Sequence, residues 1–245
     1  MSDGSEFPSH RVEVRRTRAR DFAALRDISR RVYPDEYPWT EAYLQSHLRH
    51  FPDGQLVATL RPSGRVLGMA ASLIVDWRDY ETGDSYGDFT GGGWFTNHDP
   101  TGTTLYGAEV MVDPSAQGMG AGKALYAARR DLCRRLGLER IRAGARIPGY
   151  AEVSHRMSAE EYVLACVRGE RVDPTLTFQL AQGFHVVSVV RGYARGDRES
   201  DGYGVLIEWD SDALVPGSRG GGRDPRTGRA RGRRPSSGEG DRRGA

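Results

Sequence analysis

The sequence predicts a mixed α/β domain, one layer of sheet covered by helices. Three observations carry this. Short apolar stretches of strand character recur from Val12 to Trp209. Between them lie segments whose apolar residues fall three and four apart, the spacing of an amphipathic helix. The order is strand, two helices, three strands, helix, strand, helix, two strands, with no internal repeat.

Residues 12–15 alternate apolar and charged, as a half-buried strand does. Asp21 is expected to cap a helix running to about residue 32, with Phe22, Leu25 and Ile28 on one face. Tyr33-Pro34 and Tyr37-Pro38 stop it, because proline disfavours helical geometry in the residue before it. Thr40 then caps a short helix bearing Tyr43, Leu44 and Leu48. Residues 55–60 and 66–75 read as a hairpin around Pro62, Ser63 and Gly64. Residues 77–104 are irregular and rich in Gly, Asp and aromatics, and loops of that length are usually functional or mobile. A strand over 105–112 leads into a helix over 118–136, with Leu125, Ala128, Leu132 and Leu136 along one face and Gly137 as its stop. Residues 140–145 form the next strand. Residues 148–172 read as an insert with its own helix over 158–167, opened by the capping box of Ser158 and Glu161. A helix over 173–182 and strands over 185–190 and 203–209 complete the order.

Composition sets the domain limits. Residues 1–10 are polar and expected to be disordered, residues 11–215 form one domain, and residues 216–245 form a Gly/Arg-rich disordered tail. That tail holds nine arginines against Asp224, Glu239 and Asp241, in a chain of net charge +2. The positive surplus therefore belongs to the tail, and nucleic acid is not an expected partner of the domain. Lys123 is the only lysine, so the chain's basic residues are otherwise arginine throughout. No run of ~18 apolar residues exists to span a membrane. The first ten residues lack the apolar core of a secretory leader. Cys133 and Cys166 are too few for a disulfide framework or a four-cysteine zinc site, and read as free, packed thiols. A cytoplasmic location is expected, with no metal.

The most informative segment runs from Val110 to Lys123. A strand ends at Val112, Pro114 breaks it, and Gly118, Gly120 and Gly122 open a helix. Glycines there let a polyanion approach the main chain, whose first-turn N–H groups lack helical partners. A nucleotide P-loop fails on Gln117, where its first glycine belongs, and on Ala124, where its hydroxyl belongs. A dinucleotide fingerprint fails on Lys123, where its third glycine belongs.

What fits is Gln-x-x-Gly-x-Gly, made by Gln117, Gly120 and Gly122 after Val112-x-Pro114. Here the sequence resembles the GNAT superfamily of acetyl-coenzyme A-dependent N-acetyltransferases, over about residues 11–210. The segment from Phe178 to Phe184 resembles the family's later L-Y-x-K-x-G-F motif, with Gly183 and Phe184 in register. The long insert resembles GNAT modules found joined to carbon–nitrogen hydrolase domains, a likeness that specifies no acceptor.

The resemblance implies a GNAT-like fold, a central splayed and mostly antiparallel sheet flanked by helices. It implies acetyl-CoA as cosubstrate. Met111 and Val112 would contact the pantetheine arm through their backbone. Gln117, Gly118, Met119, Gly120, Ala121, Gly122 and Lys123 would wrap the pyrophosphate. A primary amine, on a small molecule or a peptide, would attack the thioester directly. The base candidates are Glu109 first, Asp113 second and His98 third. Gln179 stands where many members carry a tyrosine acid. Either the thiolate leaves unaided or Tyr150 or Tyr162 of the insert serves instead. The same departure keeps open a non-catalytic acyl-CoA sensor or scaffold. The 77–104 loop and the insert are expected to build the acceptor pocket. Trp39, Trp77 and Trp94 either line it or fill the core, and His47 and His50 read as a solvated helix face. Family members are often dimers, and the sequence does not decide this.

Overall fold

Among the described residues, seven strands make one sheet, in the order β1-β2-β3-β4-β5-β7-β6. They are β1 (Val12–Arg16), β2 (Gln55–Leu60), β3 (Arg65–Val75), β4 (Thr104–Val112), β5 (Arg140–Ala145), β6 (His185–Arg191) and β7 (Tyr203–Asp210). The helices are α1 (Phe22–Val32), α2 (Glu41–His50), α3 (Tyr86–Thr90), α4 (Ala121–Arg135), α5 (Ala159–Val167) and α6 (Leu176–Ala181). This computed structural model describes residues 12–34, 39–194 and 196–211. The expected disordered N-terminus 1–10 and tail 216–245 lie outside the described residues.

Every neighbouring pair of strands is antiparallel except β4 and β5. These two run parallel, and only from Thr104↔Arg140 to Gly107↔Ala143. Beyond Gly107 they part: β4 continues against β3, and β5 against β7. The mixed, splayed sheet expected from the sequence is therefore present.

A β-bulge lies where the strands part. Ala71 pairs with Glu109 but Ser72 with Gly107, which leaves Ala108 as an extra residue. The bulge inverts the alternation of β4. Leu105 packs in the cluster that α4 covers, whereas Met111, six residues on, packs in the cluster that α1 covers. Leu25 and Ile28 of α1 are fully buried on that second face. Leu132 and Cys133 of α4 are fully buried on the first. Both cysteines are free and buried, as expected.

Local signals set most ends. Thr40 Oγ1 accepts from the Tyr43 N–H at 3.3 Å, and Ser158 and Glu161 make their reciprocal cap. Asp21 behaves differently from its expected role. Its carboxylate accepts from the Arg18 N–H and from Arg15, capping a single 3₁₀ turn ahead of α1. Helix α4 starts at Ala121 rather than 118, because Gly118 and Gly120 adopt φ of +79° and +83°. Helix α6 is shorter than expected, because Asp173 Oδ1 takes the N–H groups of Thr175 and Leu176 in a turn. The 77–104 stretch contains α3, whose five residues are too few to show a period.

Candidate functional site

The loop after β4 is built to expose main-chain donors. Asp113 Oδ1 accepts from the Ser115 N–H at 3.0 Å and holds a 3₁₀ turn over Pro114–Ala116. Two left-handed glycines then carry the chain into α4. Among the described residues, nothing accepts from the N–H groups of Gly118, Gly120, Ala121, Gly122 or Lys123. The 15-residue helix adds the positive end of its dipole there. A Cβ on Gly122 would stand 3.2 Å from the Phe178 ring, so a larger residue there would push on α6. These donors suit a diphosphate, and the site fits that part of CoA.

The loop opens into a cleft of about 1170 Å³. Gly107 to Val112 of β4 and Ala143 and Gly144 of β5 line it where the strands part. Of the residues expected to hold CoA, all but Met119 line this cleft. Met119 instead packs against the cluster around Leu67 and Leu125, with its sulfur 3.9 Å from Arg65. Lys123 lines the cleft and has no carboxylate partner among the described residues.

Glu109 faces the same cleft, turned toward the α1 side by the bulge. Its Oε1 accepts from the Tyr33 hydroxyl at 2.9 Å and its Oε2 from the Trp39 indole N–H at 3.3 Å. Burial pushes the carboxyl above the ordinary carboxylate range, against the opposing pull of those two donors and of Arg146. A carboxylate so placed is a stronger proton acceptor than an exposed one. Trp39, Tyr43 and Tyr86 continue the lining with Gly92 and Gly93, so the 77–104 loop does contribute a wall.

The insert does not. Tyr150, Val153, Tyr162, Val163 and Cys166 sink into the core beside β5 and β7, and no residue of 148–172 lines the cleft. Tyr162 donates to Asp173 Oδ2 at 3.0 Å, and Tyr150 to the Met157 carbonyl at 3.3 Å. Both hydroxyls are committed away from the cleft. Asp113 is also outside it, held by Ser115 and by Arg31 at 2.9 Å. His98 is a structural residue: its Nδ1 accepts from the Ile74 N–H at 3.0 Å and its ring stacks on Phe51.

His47 corrects the reading of a solvated face. It is 1% exposed, donates from Nε2 to the Gly93 carbonyl at 2.7 Å, and stacks on Phe95. It thereby fixes the glycine-rich wall of the cleft. His50 is partly exposed and bonds the Ser46 carbonyl within its own helix. The tryptophans divide: Trp39 lines the cleft, Trp94 is exposed against Tyr43, and Trp77 stacks on Phe89.

Tyr33, read only as the end of a helix, and Tyr126 escaped the sequence reading of the site. Tyr126 of α4 is buried, lines the cleft and accepts at its hydroxyl from Gln179 Nε2 at 2.9 Å. The available signal was a tyrosine in the second turn of the glycine-opened helix, beside the apolar Leu125.

Fold and site together define an acyl-CoA-dependent acyltransferase. The chain belongs to the acetyltransferase (GNAT) family, whose model matches residues 22–153. It is 34% identical over 213 residues to the uncharacterized N-acetyltransferase YkwB of Bacillus subtilis (strain 168), covering 85% of this chain and 92% of that protein. It is 37% identical over 206 residues to the probable hydrolase YhcX of the same organism. That match covers 84% of this chain, and the chain spans only 40% of YhcX. Among solved structures, the GphF GNAT-like decarboxylase in complex with isobutyryl-CoA is similar at a TM-score of 0.69 and 25% identity. The match covers 81% of this chain and 99% of that one. No helix among the described residues is long and apolar enough to cross a membrane.

Proposed function

We propose that the chain moves an acetyl group from acetyl-CoA to a primary amine by direct attack within one ternary complex. The observation that carries this is the partly buried Glu109 carboxylate, set in the cleft that the unpartnered donors of the Gly118–Gly122 segment also open into. The family match and the N-acetyltransferase relative support it. In this reading those amides hold the pyrophosphate, and the main chain of Met111 and Val112 flanks the pantetheine arm. Glu109 takes the proton that the amine must lose as its nitrogen bonds the acyl carbon. The carbon–sulfur bond then breaks, with its electron pair going to sulfur. Tyr33 and Trp39 keep the carboxylate oriented.

The aromatic wall of Trp39, Tyr43 and Tyr86 suits an acceptor with an apolar or cationic body. Free-thiol release from acetyl-CoA, followed across small amines and peptides, tests the reading. It is overturned if no amine raises release above the hydrolytic background. A second reading, loss of carbon dioxide from a carboxyacyl-CoA, is favoured only by the likeness to the GphF decarboxylase. Carbon dioxide released without any amine would select it.

A further inference from the structure

We propose that Tyr126 gives the departing sulfur its proton, and that Gln179 is the residue that positions it. The inference rests on the transfer reading above and names a donor that reading leaves open.

Gln179 Nε2 can only donate, so at 2.9 Å the Tyr126 oxygen is the acceptor. The phenol's own hydrogen is then directed elsewhere. Among the described residues no atom accepts it, although Tyr126 is only 3% exposed. Such a buried donor ordinarily has a partner. Gln179 Oε1 is buried and likewise without one. Two adjacent buried polar groups on the cleft wall thus each lack a hydrogen bond that something entering the cleft can supply.

The hydroxyls of Tyr33, Tyr193, Tyr150 and Tyr162 are committed, and Tyr43 and Tyr86 belong to the aromatic wall beside Trp39. Tyr33 donates to Glu109, and Tyr193 bonds Tyr106 at 2.6 Å. Tyr150 and Tyr162 face the core. Tyr126 is held on its other sides by ring contacts with Phe178 and Phe184, and the Arg129 guanidinium stands 5.6 Å from its ring centre. Burial raises the phenol's pKa and keeps it protonated until the step, while the Arg129 cation and the Gln179 donor oppose that rise and favour the phenolate left when the proton departs.

The step balances. The carbon–sulfur electron pair moves to sulfur as the Tyr126 O–H proton reaches it. Glu109 gains a proton from the amine, Tyr126 loses one to the thiol, and solvent exchange restores both.

Binding of CoA and of dethio-CoA, which lacks the sulfur, tests this at pH 9 by calorimetry without any acceptor. The wild-type chain should favour CoA by roughly ten- to hundredfold, the worth of one hydrogen bond to a charged group. Tyr126→Phe should erase that preference and leave dethio-CoA affinity as it was, which also shows that the variant is folded. Gln179→Glu should lower kcat with little change in the acetyl-CoA KM, because a carboxylate would draw the phenol proton to itself. A preference that survives Tyr126→Phe, or no preference in the wild type, overturns the proposal. Failure of both ligands to bind overturns it together with the CoA site. A sulfur preference that depends on Tyr126, in a chain that acylates no amine, would sink the transfer reading and keep the contact.

Discussion

Arg129 Nη2 donates to the carbonyl oxygen of Glu109 at 2.5 Å, tying α4 to the strand that carries the proposed base. The same guanidinium donates to the Ala71 carbonyl and to Ser72 Oγ, each at 3.0 Å. It therefore fastens both sides of the bulge at Ala108, although it is 1% exposed and has no carboxylate partner among the described residues. Arg129→Met would leave two carbonyls and a hydroxyl without their donor. We expect a loss of about 2–4 kcal/mol, seen as a melting temperature about 5–15 °C lower. An unchanged melting temperature would show that the bulge needs no clamp.

Glu109→Gln keeps the shape of the side chain and removes its basicity. We expect kcat to fall by about 10²–10⁴, with the acetyl-CoA KM nearly unchanged. In the wild type kcat should fall as pH drops through the Glu109 pKa. Burial raises that pKa, so the fall begins at higher pH than for an exposed glutamate near ~4.3. A pH–rate profile of both forms checks this, and the acid limb should be missing in the variant.

The glycine loop makes two separable demands. Gly120→Ala places a side chain at φ +83°, where nothing crowds it but the backbone is strained. A cost of about 1–2 kcal/mol should weaken CoA binding by about tenfold or more. Gly122→Ala keeps an ordinary helical backbone and instead pushes on Phe178. Its effect should be recovered in part by Phe178→Leu, which makes room, while that of Gly120→Ala should not. Calorimetry with CoA on the four variants reads the difference.

Asp113 and Tyr162 are each held by contacts away from the cleft. Asp113→Ala removes the cap over Ser115 and the pair with Arg31, at about 1 kcal/mol. Tyr162→Phe removes a buried hydrogen bond to Asp173. Each should lower thermal stability and leave kcat within about twofold, well short of the loss expected for removing a base. A hundredfold loss of kcat in either would return that residue to the chemistry.

His47 predicts an acid sensitivity. Its burial lowers the pKa from 6.5 to about 4, with His50 pushing the same way and the Gly93 carbonyl opposing. The unfolded chain binds the His47 proton first as pH falls. Stability from this group is therefore full above about pH 6.5 and is lost toward pH 4. Between pH 7 and pH 5 the loss is about 2 kcal/mol. Denaturant titrations at the two pH values should show it, and His47→Gln should flatten it.

Elements whose instructions are local were legible in the sequence. The Ser158–Glu161 cap, the turn around Gly64 and strand β5 are each set by residues within a few positions of one another. So was the glycine loop, because its main-chain conformation is written in Gly118 and Gly120 themselves. The side-chain chemistry was less so. Glu109 was legible as a residue, but Tyr33 and Trp39, which orient it, come from 76 and 70 positions away. Tyr126 and Gln179 meet across 53 positions, and in the sequence only Gln179 stands out, as a departure from the family's pattern. His47 looked solvated because its helix has a polar composition, whereas Gly93 and Phe95 of a distant loop cover it.

Because β4 and β5 separate after only four paired residues, the sheet has a bare rim in its interior rather than only at its margins. Outer rims invite other chains to add a strand, which is how many β proteins aggregate. This one is recessed between two walls of side chains, a setting that suits a slender chain of amides. The notch thereby places the pairing capacity of an edge inside the sheet.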